Sequence, residues 1–165
     1  MVIIFVASLN ENLKLAKRIE THLTHIDIES KIVKIPELEL PMYSTQKEQD
    51  DGIPQVATTL AKEMLISKGY IFVAPEYNYA PPPTLLNMIA WISRIGDDFR
   101  DLFVLKTILL ATHSGGGGDD LLNSMRVIFT RLGGVVAPRE ILTSYKKSLS
   151  NESLDRILAQ FKSLL

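Results

Sequence analysis

The sequence predicts an α/β fold in which helices cover both faces of a parallel sheet. Two patterns lead there. Five short apolar runs, several of them β-branched, read as buried strands, and each is followed by a stretch whose apolar residues fall at helical spacing. Strand and helix alternating five times in this way implies parallel pairing through crossover helices. The chain has 165 residues with no shift in composition, no internal repeat and no low-complexity tract, so it reads as one domain over residues 1–165.

The elements follow in order. Val2–Val6 is an apolar run too short for a signal peptide or a membrane span, and it reads as the first buried strand. Leu13, Ala16, Ile19 and Leu23 then mark a helix. A second strand is expected at residues 31–35. Residues 36–53, rich in Pro, Asp, Glu and Gln, form the longest irregular stretch, either a plain surface loop or a lid or partner contact. Val56, Leu60, Ala61, Met64 and Leu65 form the next helical stripe, before a third strand at residues 70–74. The helix after it is apolar almost all round, with Leu85, Leu86, Met88, Ile89, Ala90, Trp91 and Ile92. A helix of that kind needs cover on every face, so one side should meet the sheet and the other a second subunit. A fourth strand at residues 107–112 precedes the stripe Leu122, Met125, Phe129 and Leu132. A fifth strand at residues 135–137 precedes Leu154, Ile157, Leu158, Phe161 and Leu165.

Composition narrows the function classes. Hydrophobic residues make up 46% and charged residues 22%, as in ordinary globular proteins. A net charge of -1 with both signs interspersed lacks the basic footprint of a nucleic-acid binder. The absence of cysteine excludes disulfides, thiolate metal sites and cysteine nucleophiles. His22 and His25 lie three apart on a helix, but no carboxylate pattern completes a metal site with them. A cytoplasmic protein without a membrane segment is expected.

Ligands of open parallel sheets bind beyond the carboxyl ends of the strands, where the strand order reverses. The loops after strands one, three and four are also the chemically unusual ones. After strand four comes His113-Ser114-Gly115-Gly116-Gly117-Gly118. Four glycines cost entropy and pack no side chain, which fits a backbone that approaches a ligand closely, or else a flexible turn. His113 could bond a ligand carbonyl or simply lie solvated. After strand three comes Pro75-Glu76-Tyr77-Asn78-Tyr79-Ala80-Pro81-Pro82-Pro83, where the three consecutive prolines Pro81 to Pro83 remove backbone donors. Any backbone bond to a ligand must come from Glu76 to Ala80, while Tyr77 and Tyr79 offer flat faces to a planar ring. After strand one comes Ser8-Leu9-Asn10-Glu11-Asn12, a helix start that could receive an anion or could be ordinary capping. No Lys or Arg lies between Ala7 and Leu13, and Glu11 would repel a phosphate.

Pro75-Glu76-Tyr77-Asn78, followed by Pro82, Leu85, Asn87, Ile89, Trp91, Ser93 and Arg94, closely resembles the motif P-E-Y-N-G-S-x-P-G-x-L-K-N-A-I-D-W-x-S-R of the NADPH-dependent FMN reductase family. The match runs without a gap. Support comes from the Ser-Gly loop after strand four and from Met125-Arg126 and Leu132-Gly133 beyond it. The resemblance implies a flavodoxin-like three-layer fold with strand order 2-1-3-4-5 and an FMN on each subunit. It implies Ser8, Asn10, Asn12 and Leu13 around the phosphate. Pro75, Glu76, Tyr77, Asn78 and Tyr79 would lie along the isoalloxazine, with Ser114, Gly115 and Gly116 on its other side. The chain departs from the family in its short first loop, which lacks an arginine, and at Tyr79 and Pro83 for Gly, Leu86 for Lys and Ala90 for Asp.

The activity so implied is hydride transfer from NAD(P)H through FMN to a small-molecule acceptor, with no protein acid or base required. No catalytic residue is assigned. The acceptor could be free flavin, a quinone, an azo dye or a metal ion. A homodimer or homotetramer through the helix from Leu85 to Ile92 is expected. Two other readings stay open: a flavin electron carrier, and a non-enzymatic module whose flavin site has degenerated. Carriers resemble one another in a Ser/Thr-rich first loop and an acidic surface, and this chain has neither.

Overall fold

β1 (Val2–Val6) is apolar at every position because both of its edges are paired and both of its faces are covered. In the computed structural model, which describes residues 1–96 and 100–165, its side chains alternate between two cores. Val2, Ile4 and Val6 pack with α1 (Glu11–His25) and α6 (Asn151–Leu164). Ile3 and Phe5 pack with α3 (Gln55–Ile66), α4 (Pro83–Ile92) and α5 (Asp119–Arg131) on the opposite face. Three layers result.

The sheet also holds β2 (Ser30–Lys34), β3 (Gly69–Val73), β4 (Thr107–His113), β5 (Val135–Val136) and β6 (Ile141–Thr143). Its order is β2-β1-β3-β4-β5, all parallel, as the resemblance implied, so the strand order reverses between β1 and β3. The outer position beyond β4 differs from the expected single strand. β5 pairs with Thr107 and Ile108, and β6 pairs with residues from Ala111 to His113 of the same strand. Between them Ala137 still donates to Ile108 O at 2.8 Å, but Pro138 has no N–H with which to continue the ladder. The line resumes only at Ile141.

The helical stripes hold with local shifts. Leu15 joins Ala16, Ile19 and Leu23 in the buried face of α1. On α3 the buried line runs through Ala57, Leu60, Ala61 and Met64, which leaves Val56 and Leu65 on its exposed flanks. Leu165, at the end of the chain, is also exposed.

Residues 36–53 continue a 3-10 turn that begins one residue earlier (Ile35–Leu38), contain α2 (Thr45–Asp51), and lie against α4. Asn87 Oδ1 accepts from Tyr43 N at 2.8 Å, and its Nδ2 donates to Leu40 O and Pro41 O. Trp91 Nε1 donates to Pro41 O at 2.7 Å, with the Tyr43 ring edge-on 5.1 Å away, and Arg94 pairs with Glu48. The chain itself thus covers part of the α4 surface that the apolar sequence reserved for a second subunit. Leu86 remains 43% exposed. Among the described residues no helix is long and apolar enough to cross a membrane. His22 Nδ1 meets Asp155 Oδ1 at 2.6 Å and so ties α1 to α6.

Tyr70 of β3 is fully buried, its hydroxyl shared between the carbonyls of Leu102 (2.5 Å) and Met64 (3.1 Å). Burial pushes its phenol up to about 12 from 10.0, against a smaller opposing effect of the Ser67 hydrogen bond. A folded-state pKa above the unfolded one means the contribution is fully present below pH 10 and is lost as pH rises toward 12. Denaturant unfolding should therefore show the wild type losing about 2 kcal/mol more than Tyr70→Phe between pH 9 and pH 12. Parallel pH profiles for the two proteins would refute this role.

Candidate functional site

The ladder runs one residue past the ends of β1 and β3, with Ala7 N donating to Val73 O and Ala74 N to Ala111 O. The loops after β1, β3 and β4 therefore emerge side by side at the strand-order reversal, where open parallel sheets bind ligands.

In the loop after β3, Pro75 is buried and the chain then folds back on itself. Tyr77 N donates to Ala80 O, and Ala80 N to Tyr77 O, both at 3.0 Å. Asn78 and Tyr79 between them have φ of 51° and 65°, the geometry of a type I′ turn. Asn tolerates the left-handed region, whereas a bulky aromatic rarely enters it. The turn holds both tyrosine rings outward, Tyr77 at 51% exposure and Tyr79 at 76%. A cavity of about 690 Å3 opens here, lined by Glu76, Tyr77, Asn78, Ala80, Pro81 and Pro83.

Glu76 joins this loop to the next. Its Oε2 accepts from Ser114 Oγ at 2.9 Å and from Gly118 N at 3.1 Å. Ser114, itself buried, accepts from Gly116 N at 3.0 Å. Of the four glycines only Gly118 has positive φ (86°), and a Cβ there would stand 3.1 Å from Thr112 Cγ2. A Cβ on Gly115 would meet nothing within 4 Å. Neither φ nor crowding accounts for Gly115, which leaves an open backbone face of the kind close ligand approach requires.

After β1, α1 begins without a side-chain cap, since Asn10 makes no capping bond. Its first turn is closed by Leu13 N and Lys14 N donating to Asn10 O. Ser8 is half-buried and Asn10 exposed. Asn12 is turned the other way. It is buried, its Nδ2 donating to His113 O at 3.0 Å and its Oδ1 accepting from His113 N at 2.8 Å. The Asn12 side chain thus fixes the end of β4. Glu11 lies 2.6 Å from Lys14. The hydrogen bond from Lys14 holds the Glu11 carboxyl below its usual range, and the same contact raises the Lys14 ammonium.

A fourth loop, after β6, reaches the same edge. Ser144 and Lys147 bond reciprocally, placing Tyr145 edge-on to the His113 ring at 4.9 Å. His113 Nδ1 sits 3.1 Å from Thr143 Oγ1, while its Nε2 is buried and has no partner among the described residues. The sequence reading passed over this loop because the three-residue strand that carries it went unrecognised. Its polar run Ser144-Tyr145-Lys146-Lys147-Ser148, between apolar residues and the last helix, was the available signal.

A parallel sheet of this order, with its special loops gathered at the β1–β3 reversal, defines a flavodoxin-like protein. The chain belongs to the NADPH-dependent FMN reductase family, whose model matches residues 1–147. It is 33% identical over 100 residues to the quinone reductase of Escherichia coli (strain K12), a match covering 59% of this chain and 52% of that protein. It is also 33% identical over 79 residues to the NADH:(hydroxy)cinnamate reductase subunit CrdA of Vibrio ruber, covering 48% and 38%. The chain spans about half the length of the E. coli relative it matches, and less of the Vibrio ruber one. Among solved structures, the flavoenzyme NAD(P)H:(acceptor) oxidoreductase FerB from Paracoccus denitrificans superposes with a TM-score of 0.77 at 20% identity, covering 99% of this chain and 96% of that one. An oxidoreductase from Corynebacterium diphtheriae gives 0.76 at 12% identity, covering 99% and 95%. At these identities the likeness shows the fold.

The left-handed Tyr79 predicts a stability gain. Tyr79→Gly should raise unfolding free energy by about 1 kcal/mol, because Gly carries no Cβ penalty at this φ. A loss of stability in denaturant melts would show that Tyr79 contacts outweigh its backbone strain.

Proposed function

We propose that this chain is an NAD(P)H-dependent FMN oxidoreductase that passes reducing equivalents to a small acceptor such as a quinone or a flavin. The observation that carries the reading is the Glu76 clamp. It ties the tyrosine-bearing turn, which lines a cavity, to the Ser-Gly loop that carries the open backbone of Gly115.

The residues present fit FMN. Tyr77 and Tyr79 offer exposed rings to a planar group, and Gly115, between Ser114 and Gly116, offers a backbone face with nothing within 4 Å of where a Cβ would stand. The buried Nε2 of His113, without a partner among the described residues, adds a polar atom able to serve a ligand. The start of α1, which has no side-chain cap, offers a phosphate its unpaired backbone donors, with Ser8 and Asn10 beside it, although Leu13 N already donates to Asn10 O. Bound flavin would supply the hydride chemistry, so the protein's work is to orient and shield the rings. Pro75 and Asn78 shape the turn, Glu76 holds it, and Asn12 anchors the strand behind it. Glu11 is already paired with Lys14, which weakens the case for a degenerate flavin site.

The proposal extends to a cytoplasmic setting, where NAD(P)H is available, and to a homodimer or homotetramer through α4. Leu86 is exposed there, and Ile89 and Ala90 are only half-buried. At micromolar concentration, light scattering should give twice or four times the monomer mass, and Leu86→Glu should reduce it. A monomeric wild type would overturn the assembly.

The activity is checked directly. Protein supplied with FMN should be yellow, and its flavin absorbance should bleach anaerobically on NADPH or NADH and return on adding a quinone. Protein that quenches no FMN fluorescence would instead favour the non-enzymatic module.

A further inference from the structure

Opposite the candidate site, at the other end of the sheet, aliphatic side chains gather around the starts of β3, β4 and β5. Leu65 and Ile66 end α3, Val104 and Leu105 precede β4, Val135 opens β5, and Leu164 closes α6. Each is exposed, Ile66 at 78% and Leu105 at 79%. Hydrogen bonds place them side by side. Lys106 Nζ donates to Leu65 O and Ser67 O, and Leu105 N donates to Gly133 O. Val135 N donates to Lys106 O, and Thr107 Oγ1 to Leu164 O at 2.7 Å. A contiguous exposed apolar surface of this kind marks an interaction site.

The backbone beneath the patch holds an unfavourable conformation. Leu105 has a φ of 59°, in the left-handed region that aliphatic residues rarely adopt. A side chain this exposed offsets none of that strain by packing in its own fold. Cations surround the patch. Lys62 lies one helical turn before Ile66, Lys68 and Lys106 precede β3 and β4, and Arg131 ends α5 close to Gly133. Among the described residues no carboxylate pairs with Lys62, Lys68 or Arg131. The described acids at this end are Asp27, Glu29, Asp101 and Glu63, the last held by Lys31 at 2.7 Å.

The exposure and the charge discriminate between occupants. A partner helix needs a walled groove, and side chains as bare as Ile66 and Leu105 have no walls beside them. A second copy in a symmetric contact would bring one cationic rim against the other. An anionic lipid surface satisfies both features, because aliphatic tips enter the interface while Lys and Arg heads meet the lipid charge.

We propose that this end of the sheet docks peripherally on an anionic membrane surface. Ile66 and Leu105 insert, and Lys62, Lys68 and Arg131 lie on the headgroups. The inference stands apart from the flavin reading. β3 and β4 carry the chain about 17–23 Å from this end to the candidate site, which therefore faces away from the lipid.

The test measures co-sedimentation of the full chain with two kinds of vesicle. One is phosphatidylcholine alone, the other phosphatidylcholine and phosphatidylglycerol in equal parts. Wild type should bind the mixed vesicles about tenfold better than the neutral ones, and less so as salt rises. Ile66→Gln/Leu105→Asn changes two exposed side chains, and Asn tolerates the left-handed φ, so its denaturant midpoint should equal or exceed that of wild type. That variant should bind mixed vesicles about tenfold more weakly. Lys62→Gln/Lys68→Gln should lose a similar factor on mixed vesicles and almost none on neutral ones. Wild type that stays in the supernatant with mixed vesicles overturns the proposal, as does an apolar variant within about twofold of wild type. A lower solution mass of that variant by light scattering also overturns it, because the patch would then be a contact between copies.

Discussion

The carboxylate of Glu76 holds together two loops that have little means of holding themselves. On its own side three prolines, Pro81 to Pro83, have removed backbone donors. On the facing side the four glycines contribute no side chain. Backbone groups at such an edge must still be paired or wetted. One Oε2 atom, accepting from Ser114 Oγ and Gly118 N, supplies the cross-link, and Ser114 passes it on to Gly116 N. Hydrogen bonds to a charged acceptor are worth about 1.5–3 kcal/mol, more than neutral ones. The clamp can therefore offset part of the entropy that glycine-rich backbone loses on folding.

Further cross-strand bonds extend the same logic along the sheet edge. Thr112 donates to Ala74 O, Thr143 to Thr112 O, and Ser114 N to Thr143 O. Asn12 closes the set by using both ends of its amide on the His113 backbone. These partners lie in four different loops or strand ends, so the edge is fixed before any ligand arrives. Preorganisation of this kind suits a site whose chemistry belongs to a bound cofactor, because the protein then has only to place and shield it.

Most of the fold was legible in the sequence because buried parallel strands and amphipathic helices leave strong periodic signals. The sheet order came from the family resemblance; periodicity cannot supply it. The outer strand was misjudged because two- and three-residue pieces separated by Pro138 carry too little pattern. With β6 went the loop that carries Tyr145 and Lys147. The residues of the candidate site were readable as loops, but their directions were not. Asn12 falls in the right segment yet points at β4, which depends on helix phase and on an unpaired His113 backbone no local pattern reveals. The surface of α4 was legible only in part, for a related reason. An apolar helix signals that cover is needed, but it does not say whether another subunit or residues 39–48 of the same chain provide it.

The turn at Asn78 and Tyr79 runs against the economy of the rest of the edge. Two consecutive left-handed residues are favourable for Asn-Gly but cost about 1 kcal/mol or more when the second is aromatic. Such a conformation persists only where its surroundings over-determine it. Here Glu76 fixes the chain just before the turn, and the reciprocal Tyr77–Ala80 bonds close it. Buried Pro81 and Pro82 lock the chain just after. Relaxing Tyr79 to a right-handed φ would break the Tyr77–Ala80 pairing and re-aim both rings. The strain is thus tied to the outward placement of two aromatic rings, of which Tyr77 lines the cavity at this edge.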